Sequence, residues 1–398
     1  MKLKSSFIKA LFLSIGILIC ISNSFAKELS SQSEISVLTY SPGEELYSLF
    51  GHSGIRIKDP QNKLDIVFNY GTFDFNTSNF YFKFARGKLK YKLEYGDYIR
   101  LKQSYMYEKR GIIEQKLNLD INTKRKLFTA LVENYKPENR FYHYDFLFDN
   151  CSTRIRDIIE NNIDGEIKYT EINSKPKTFW NLLDHFMEKS RWIHLGIHLI
   201  LGKPCDVEAT PYEYMFLPDN MMFAFEDAKI VTGDSIIPLV SSTRNVLEVG
   251  EVFKTTVWYK CPGFVFGIIA MLGLFLSLIY YRKKKNLFAI DHLIFSLTGF
   301  LGWIIVFLWF FTDHQATGPN LNILWALPIH FPLATIFLIK KTKLSYLYFL
   351  VTSILLLCIV GLWSFIPQSL PNEILPFVVL VLIRSLYVSK KLKHLIKE

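Results

Sequence analysis

The sequence predicts two architectures in one chain, an exported α+β domain followed by an all-α bundle of about five transmembrane helices. Half of the 398 residues are hydrophobic and 16% are aromatic, more apolar than one soluble domain of this length needs. The apolar residues are concentrated in 264–388, whereas 27–255 is mixed and polar. One part can therefore bury its own core, and the other needs lipid. The net charge of +10 gathers in short runs beside apolar stretches: Arg282-Lys283-Lys284-Lys285, Lys340-Lys341-Thr342-Lys343 and Lys390-Lys391-Leu392-Lys393. Cytoplasmic loops of membrane proteins carry such runs, so the charge reads as topology and argues against a nucleic-acid partner.

Residues 1–26 combine a basic start (Lys2, Lys4, Lys9), an apolar stretch from Ala10 to Ile21, and Ser24-Phe25-Ala26. This is the pattern of a signal peptide cut after Ala26. Cys20 follows the bulky Ile19, which disfavours a lipoprotein signal.

The exported domain, 27–258, opens with a strand at Ile35–Thr39 and a turn at Ser41-Pro42-Gly43. A short helical piece follows over Glu44–Phe50, then strands at His52–Lys58 and Asp65–Tyr70 form a hairpin around Asp59-Pro60-Gln61-Asn62. Ile112–Leu119 is a further strand, and Asn122 or Thr123 is placed to cap a helix reaching Tyr135. Asn150 is a good N-cap, and after it Cys151, Ile155, Ile158, Ile159 and Ile163 recur at helical spacing.

The membrane domain, 259–398, has apolar stretches at Phe264–Tyr281, Phe288–Phe311, Ile323–Ile339, Tyr346–Phe365 and Ile374–Val388. The last holds Arg384, expected to snorkel to the interface. With the preceding domain outside, five helices place all three basic runs inside; four would leave the last run outside.

Cys151 stands at the first turn of its helix, where the helix dipole is expected to lower the thiol pKa and free N–H groups point at an oxyanion. The structural alternatives are a disulfide with Cys205 or a small buried apolar residue. His52, between Gly51 and Gly54, is a candidate base for such a thiol. His194 and His198 share a helix face at i, i+4, but no acidic or cysteine partner stands at a recognisable spacing, so no metal site is expected. An apolar face near the membrane is the reading for that helix. The 312–322 loop, with His314, Asn320 and Asn322, is expected at the outer surface, either meeting lipid headgroups or acting as a polar turn.

Several segments resemble the Lnb-type lipoprotein N-acyltransferases: Phe50-Gly51-His52-Ser53-Gly54-Ile55-Arg56-Ile57, Asp65–Phe75, Phe80–Leu89, Asp149-Asn150-Cys151-Ser152, Ala209–Pro218 and Thr312–Asn322. More distantly, the order of His strand, polar strand and Asn-Cys helix resembles the permuted NlpC/P60 and LRAT papain-like folds. The resemblance implies Cys151 as nucleophile, His52 as base and Asn69 as the residue orienting the imidazole, with no cofactor. It implies acyl transfer from a membrane phospholipid to the N-terminal cysteine of lipoproteins, at a bacterial inner membrane with the N-terminal domain periplasmic. A cell-wall thiol peptidase or amidase, and a non-catalytic membrane receptor, are the alternatives.

Overall fold

The computed structural model describes residues 28–170, 175–248, 257–283 and 288–396; the expected signal peptide lies outside them. A seven-stranded antiparallel sheet organises the exported domain. Its strands are β1 (Glu34–Tyr40), β2 (His52–Asp59), β3 (Leu64–Thr72), β4 (Lys90–Asp97), β5 (Ile112–Leu117), β6 (Phe141–His143) and β7 (Val240–Leu247), in the order β7-β5-β1-β2-β3-β4-β6. The β2–β3 hairpin that the sequence pattern predicts is formed, with Ile55 paired to Phe68.

Alternation sorts the side chains onto two faces. Ile35, Val37, Ile55, Ile57 and Phe68 pack in one cluster. Helices α3 (Ile121–Tyr135), α4 (Cys151–Glu160) and α7 (Pro218–Glu226) supply the rest of that cluster, among them Leu127, Ile155, Ile159 and Phe225. Leu38, Tyr40, Val67 and Ile112 form a second cluster with Tyr98 at the start of α2 (Tyr98–Tyr107). Between β3 and β4 lies the short aromatic helix α1 (Phe80–Ala85). The N-cap of α3 is Asp120, two or three residues before the expected Asn122 or Thr123, because its carboxylate accepts the N–H groups of Asn122 (2.7 Å) and Thr123 (3.0 Å).

Helices α5 (Phe179–Met187) and α6 (Arg191–Ile200) form a hairpin that meets the membrane bundle. The bundle has α8 (Pro262–Arg282), α9 (Phe288–Phe310), the short α10 (Thr335–Lys340), α11 (Lys343–Gly361) and α12 (Leu375–Leu395). Among the described residues, four helices are long and apolar enough to cross a membrane: α8, α9, α11 and α12 with its leading turn.

The continuous helix expected over Ile323–Ile339 is not formed. A 3-10 turn (Leu321–Leu324) and an irregular turn (His330–Ala334), with Phe331 outside helical geometry, precede α10. Pro328 and Pro332 explain the break, since proline lacks an N–H and clashes with the preceding turn. This backbone nests against Gly299 and Gly302 of α9, where a methyl group would collide with Phe331 N or the Ala326 carbonyl. Irregular backbone is tolerated at membrane depth when it is buried in protein like this. The segment still runs the length of α9, from Asn320 beside the exported domain to Lys341, whose ammonium lies 5.4 Å from the Phe288 ring.

Arg384 does not snorkel. It is fully buried and grips both carboxylate oxygens of Asp291 on α9 (2.6 and 2.8 Å), with a third bond to Ser277 Oγ on α8. Pairing is the only economical way to hold two such charges there.

Candidate active site

Cys151 opens α4, and the sequence around it fixes that start firmly. Asn150 Oδ1 accepts the N–H groups of Ser152 (2.8 Å) and Thr153 (3.1 Å), while Thr153 Oγ1 accepts the Asn150 N–H (2.8 Å), closing a reciprocal capping box. Asn150 Nδ2 donates to the carbonyls of Phe146 and Phe216, both at 2.9 Å. The Ala209–Pro218 segment, which carries part of the family likeness, therefore braces the cap from behind.

The thiol is buried, and the N–H groups of Ser53, Ser152 and Cys151 itself are directed at its sulfur. Ser152 Oγ and Ser53 Oγ lie 3.1 Å apart, tying α4 to β2. Burial outweighs those donors and pushes the thiol pKa up, not down as the helix position alone predicts. The resting group is a neutral thiol.

His52 begins β2, one residue before Ser53. Its Nε2 lies 3.3 Å from Asn69 Oδ1, and its ring stacks with Tyr40 at 5.7 Å. The neighbouring strands thus deliver the expected His52–Asn69 pair. Burial, helped by the nearby Arg110 charge, lowers the His52 pKa to about 4, so the imidazole is neutral at neutral pH. Asn69 and Val67 lie on the Tyr40 side of the sheet, whereas α4 packs on the Ile55–Phe68 side. The two halves are linked at the strand end by Ser53, which follows His52 in β2 and reaches Ser152 of α4, with no direct hydrogen bond between the thiol and the imidazole. Gly71 keeps that end open: its φ is +87°, and a Cβ there would sit 3.8 Å from Cys151 Cβ and 3.9 Å from Tyr142 Oη.

Tyr142 and Tyr144 were not singled out by sequence reasoning. Tyr142 is buried between the exposed Phe141 and His143, and its hydroxyl has no partner. The only sequence signal was that single alternation just ahead of the Asp149-Asn150-Cys151 motif. From Tyr144 an aromatic ladder leads outward through Tyr91 (4.5 Å), Phe73 (5.4 Å), Phe80 (5.8 Å) and Phe84 (6.3 Å) to His314 (6.5 Å). Tyr81, Phe82 and Phe84 are exposed along it.

The 312–322 loop is docked on the exported domain. Asp313 N donates to Arg86 O (2.9 Å), and His314 Nε2 lies 3.0 Å from Phe84 O. Asn320 Nδ2 bonds the Leu199 and Ile200 carbonyls, and Asn322 Nδ2 bonds that of His198. Both asparagines are fully buried, which corrects the headgroup reading for them. They cap the end of α6. Cys151 and Cys205 are both free, so the disulfide alternative is not formed; burial and the nearby Asp206 and Asp145 charges raise Cys205 to about 12. His194 and His198 do have an acidic neighbour after all: Asp184 of α5, ten residues before His194.

Residues 23–185 match the Lnb N-terminal periplasmic domain, and residues 254–394 match the Lnb transmembrane domain. The chain belongs to this Lnb-type family, with an exported N-terminal domain and a C-terminal transmembrane domain. It is accordingly a multi-pass membrane protein with a periplasmic domain, of a kind tied to lipoprotein processing. No curated protein and no solved structure matches the chain.

Proposed function

We propose that this protein N-acylates the amino-terminal cysteine of lipoproteins by way of a Cys151 thioester, in a bacterial inner membrane. On this reading the exported domain is a permuted papain-like fold, with Cys151 as nucleophile, His52 as general base and Asn69 as the residue that orients the imidazole. The observation that carries the proposal is the buried thiol at the capped start of α4, tied through the Ser152–Ser53 contact to the strand that begins with His52, whose ring faces Asn69. The domain is also fastened to a membrane bundle, as an enzyme with two bilayer-borne substrates requires.

The neutral thiol and neutral imidazole suit a step in which proton transfer accompanies attack. Cys151 Sγ attacks an acyl ester carbonyl of a phospholipid while His52 takes the thiol proton. The ester C–O bond breaks, the imidazolium protonates the departing alkoxide, and a lysophospholipid leaves a thioester behind. The lipoprotein α-amine, whose ordinary pKa is about 8, then attacks in its neutral form. His52 accepts the amine proton and returns it to the departing sulfur. The Tyr142 hydroxyl, buried without a partner, is a free donor for the carbonyl oxygen in both tetrahedral intermediates. The aromatic ladder from His314 to Tyr144, exposed at Phe84 and flanked by the exposed Tyr81 and Phe82, gives the donor's acyl chain an apolar path out of the bilayer.

Mass spectrometry of lipoprotein N-termini tests the reading. Cells with the protein are expected to carry an amide-linked acyl group on the terminal cysteine, absent from cells lacking it. Free amines in both would contradict acyl transfer, and cleaved wall peptides in their place would favour a thiol peptidase.

A further inference from the structure

The α5–α6 hairpin holds a cluster that the acyl-transfer chemistry does not use. His194 and His198 lie one helical turn apart on the same face of α6. Asp184 faces them from α5, its Oδ1 3.0 Å from His194 Nε2 and 3.5 Å from His198 Nε2. All three donor atoms fall within 4.8 Å of one another. Ligand atoms of a tetrahedral ion with bonds of about 2.0–2.1 Å are separated by roughly 3.3 Å, which the two Asp184–histidine distances bracket.

Two independent features point to an ion here. His198 is 6% exposed, stacks on the buried Trp180 at 3.7 Å, and has no well-formed hydrogen bond: Nδ1 faces no partner and Nε2 only the long 3.5 Å approach of Asp184. A buried imidazole with no hydrogen bond is costly unless something else takes its lone pair. The other ring nitrogen of His194, Nδ1, is buried without a hydrogen bond and has Glu373 Oε1, just before the last membrane helix, as its nearest carboxylate at 3.7 Å, within reach on a small shift. A carboxylate behind the second nitrogen is the usual support of a metal-bound histidine, fixing its tautomer and strengthening the donor. Asp184 is partly open to solvent, which leaves an entry path and room for a water as fourth ligand.

We infer that Asp184, His194 and His198 bind a zinc ion, with Glu373 supporting His194 from the membrane bundle. The ion clamps the hairpin beside the turn of α6 that Asn320 and Asn322 cap, so side-chain ligands and backbone caps fasten the same helix end at the bundle.

The test uses the full chain without a histidine tag, carrying Cys151→Ala so that the candidate nucleophile cannot bind metal. After chelation, Zn2+ is added back, and retained zinc is measured by inductively coupled plasma mass spectrometry. One zinc per chain is expected, with a rise in Tm on reloading. His194→Gln with His198→Gln is expected to abolish both, and Glu373→Gln to weaken binding about 10–100-fold. Co2+ loaded into the His194/His198-intact chain gives a second readout that does not depend on those variants folding. Visible bands of a tetrahedral site without thiolate charge transfer are expected. Failure to retain zinc, undiminished zinc in the double variant, or a cobalt–thiolate band would each overturn the inference.

Discussion

The two ends of the exported domain treat their buried polar groups in opposite ways. At the end of α6 that docks on the bundle, the loop and bundle side chains that meet it are engaged, whereas His198 within its last turn is left open, as an ion site requires. Asn320 and Asn322 cap helix carbonyls, and Gln368 bridges Leu321 N–H and Asn320 Oδ1. At the Cys151 end, the thiol and imidazole are neutral, and the Tyr142 and Tyr40 hydroxyls are buried without partners. Saturated groups hold a structure together, and buried groups left open are poised for a ligand or a proton. Substitutions at the first end should therefore change stability, and at the second end rate.

The largest expected effect is at Cys151. Cys151→Ala should abolish turnover while the protein still accumulates in the membrane, whereas Cys205→Ala and Cys358→Ala keep most activity. Full activity of Cys151→Ala in an acyl-transfer assay would end the covalent reading. Next, His52→Ala should cost about 10²–10⁴-fold in rate. Asn69→Ala should cost less, and Asn69→Asp should be better tolerated than Ala because a carboxylate also accepts the imidazole N–H. Thermal stability measured alongside separates orientation from packing: a rate loss at unchanged Tm supports orientation.

His52 also sets a pH signature. Its pKa of about 4 in the fold lies below the ordinary 6.5. Between these values the unfolded chain binds a proton that the folded chain does not, so stability declines as pH falls from 6.5 toward 4. The acid limb of kcat/KM is expected near pH 4, and His52→Gln should flatten the stability slope over that window. An acid limb near 6.5 in the wild type would mean that the imidazole is not buried as described.

In the bundle and its junction the effects should fall on stability. Arg384→Met leaves Asp291 buried without its partner, and removing one member of a buried pair costs about 3–5 kcal/mol. Replacing both residues with apolar ones should recover much of that loss in a thermal melt in nanodiscs. Asn320→Ala strips donors from two α6 carbonyls and should cost about 1–3 kcal/mol, with little change in the rate per folded molecule.

How much of this was legible in the sequence follows from how local each signal is. The β2–β3 hairpin and the Asn150 cap rest on alternation and capping within a few residues, and the fold reproduces them; Asn69 rests on the family resemblance, and its Oδ1 lies 3.3 Å from His52 Nε2. The continuous third membrane helix failed because hydropathy does not register what Pro328 and Pro332 do to a backbone. Arg384 was misread because its partner, Asp291, lies 93 residues away. Asp184 was missed beside His194 and His198 because it reaches them across a helical hairpin, not along one helix. Burial of Cys151, which reverses the expected pKa shift, depends on the whole sheet and no local pattern announces it.

The central claim is that Cys151 carries the acyl group. The most direct measurement incubates the purified full chain with phospholipid, without lipoprotein acceptor, and determines its intact mass and the modified peptide. One hydroxylamine-labile acyl adduct on Cys151 is expected, absent in Cys151→Ala and greatly slowed in His52→Ala. An unmodified Cys151, with acyl transfer still proceeding when acceptor is added, would contradict the claim.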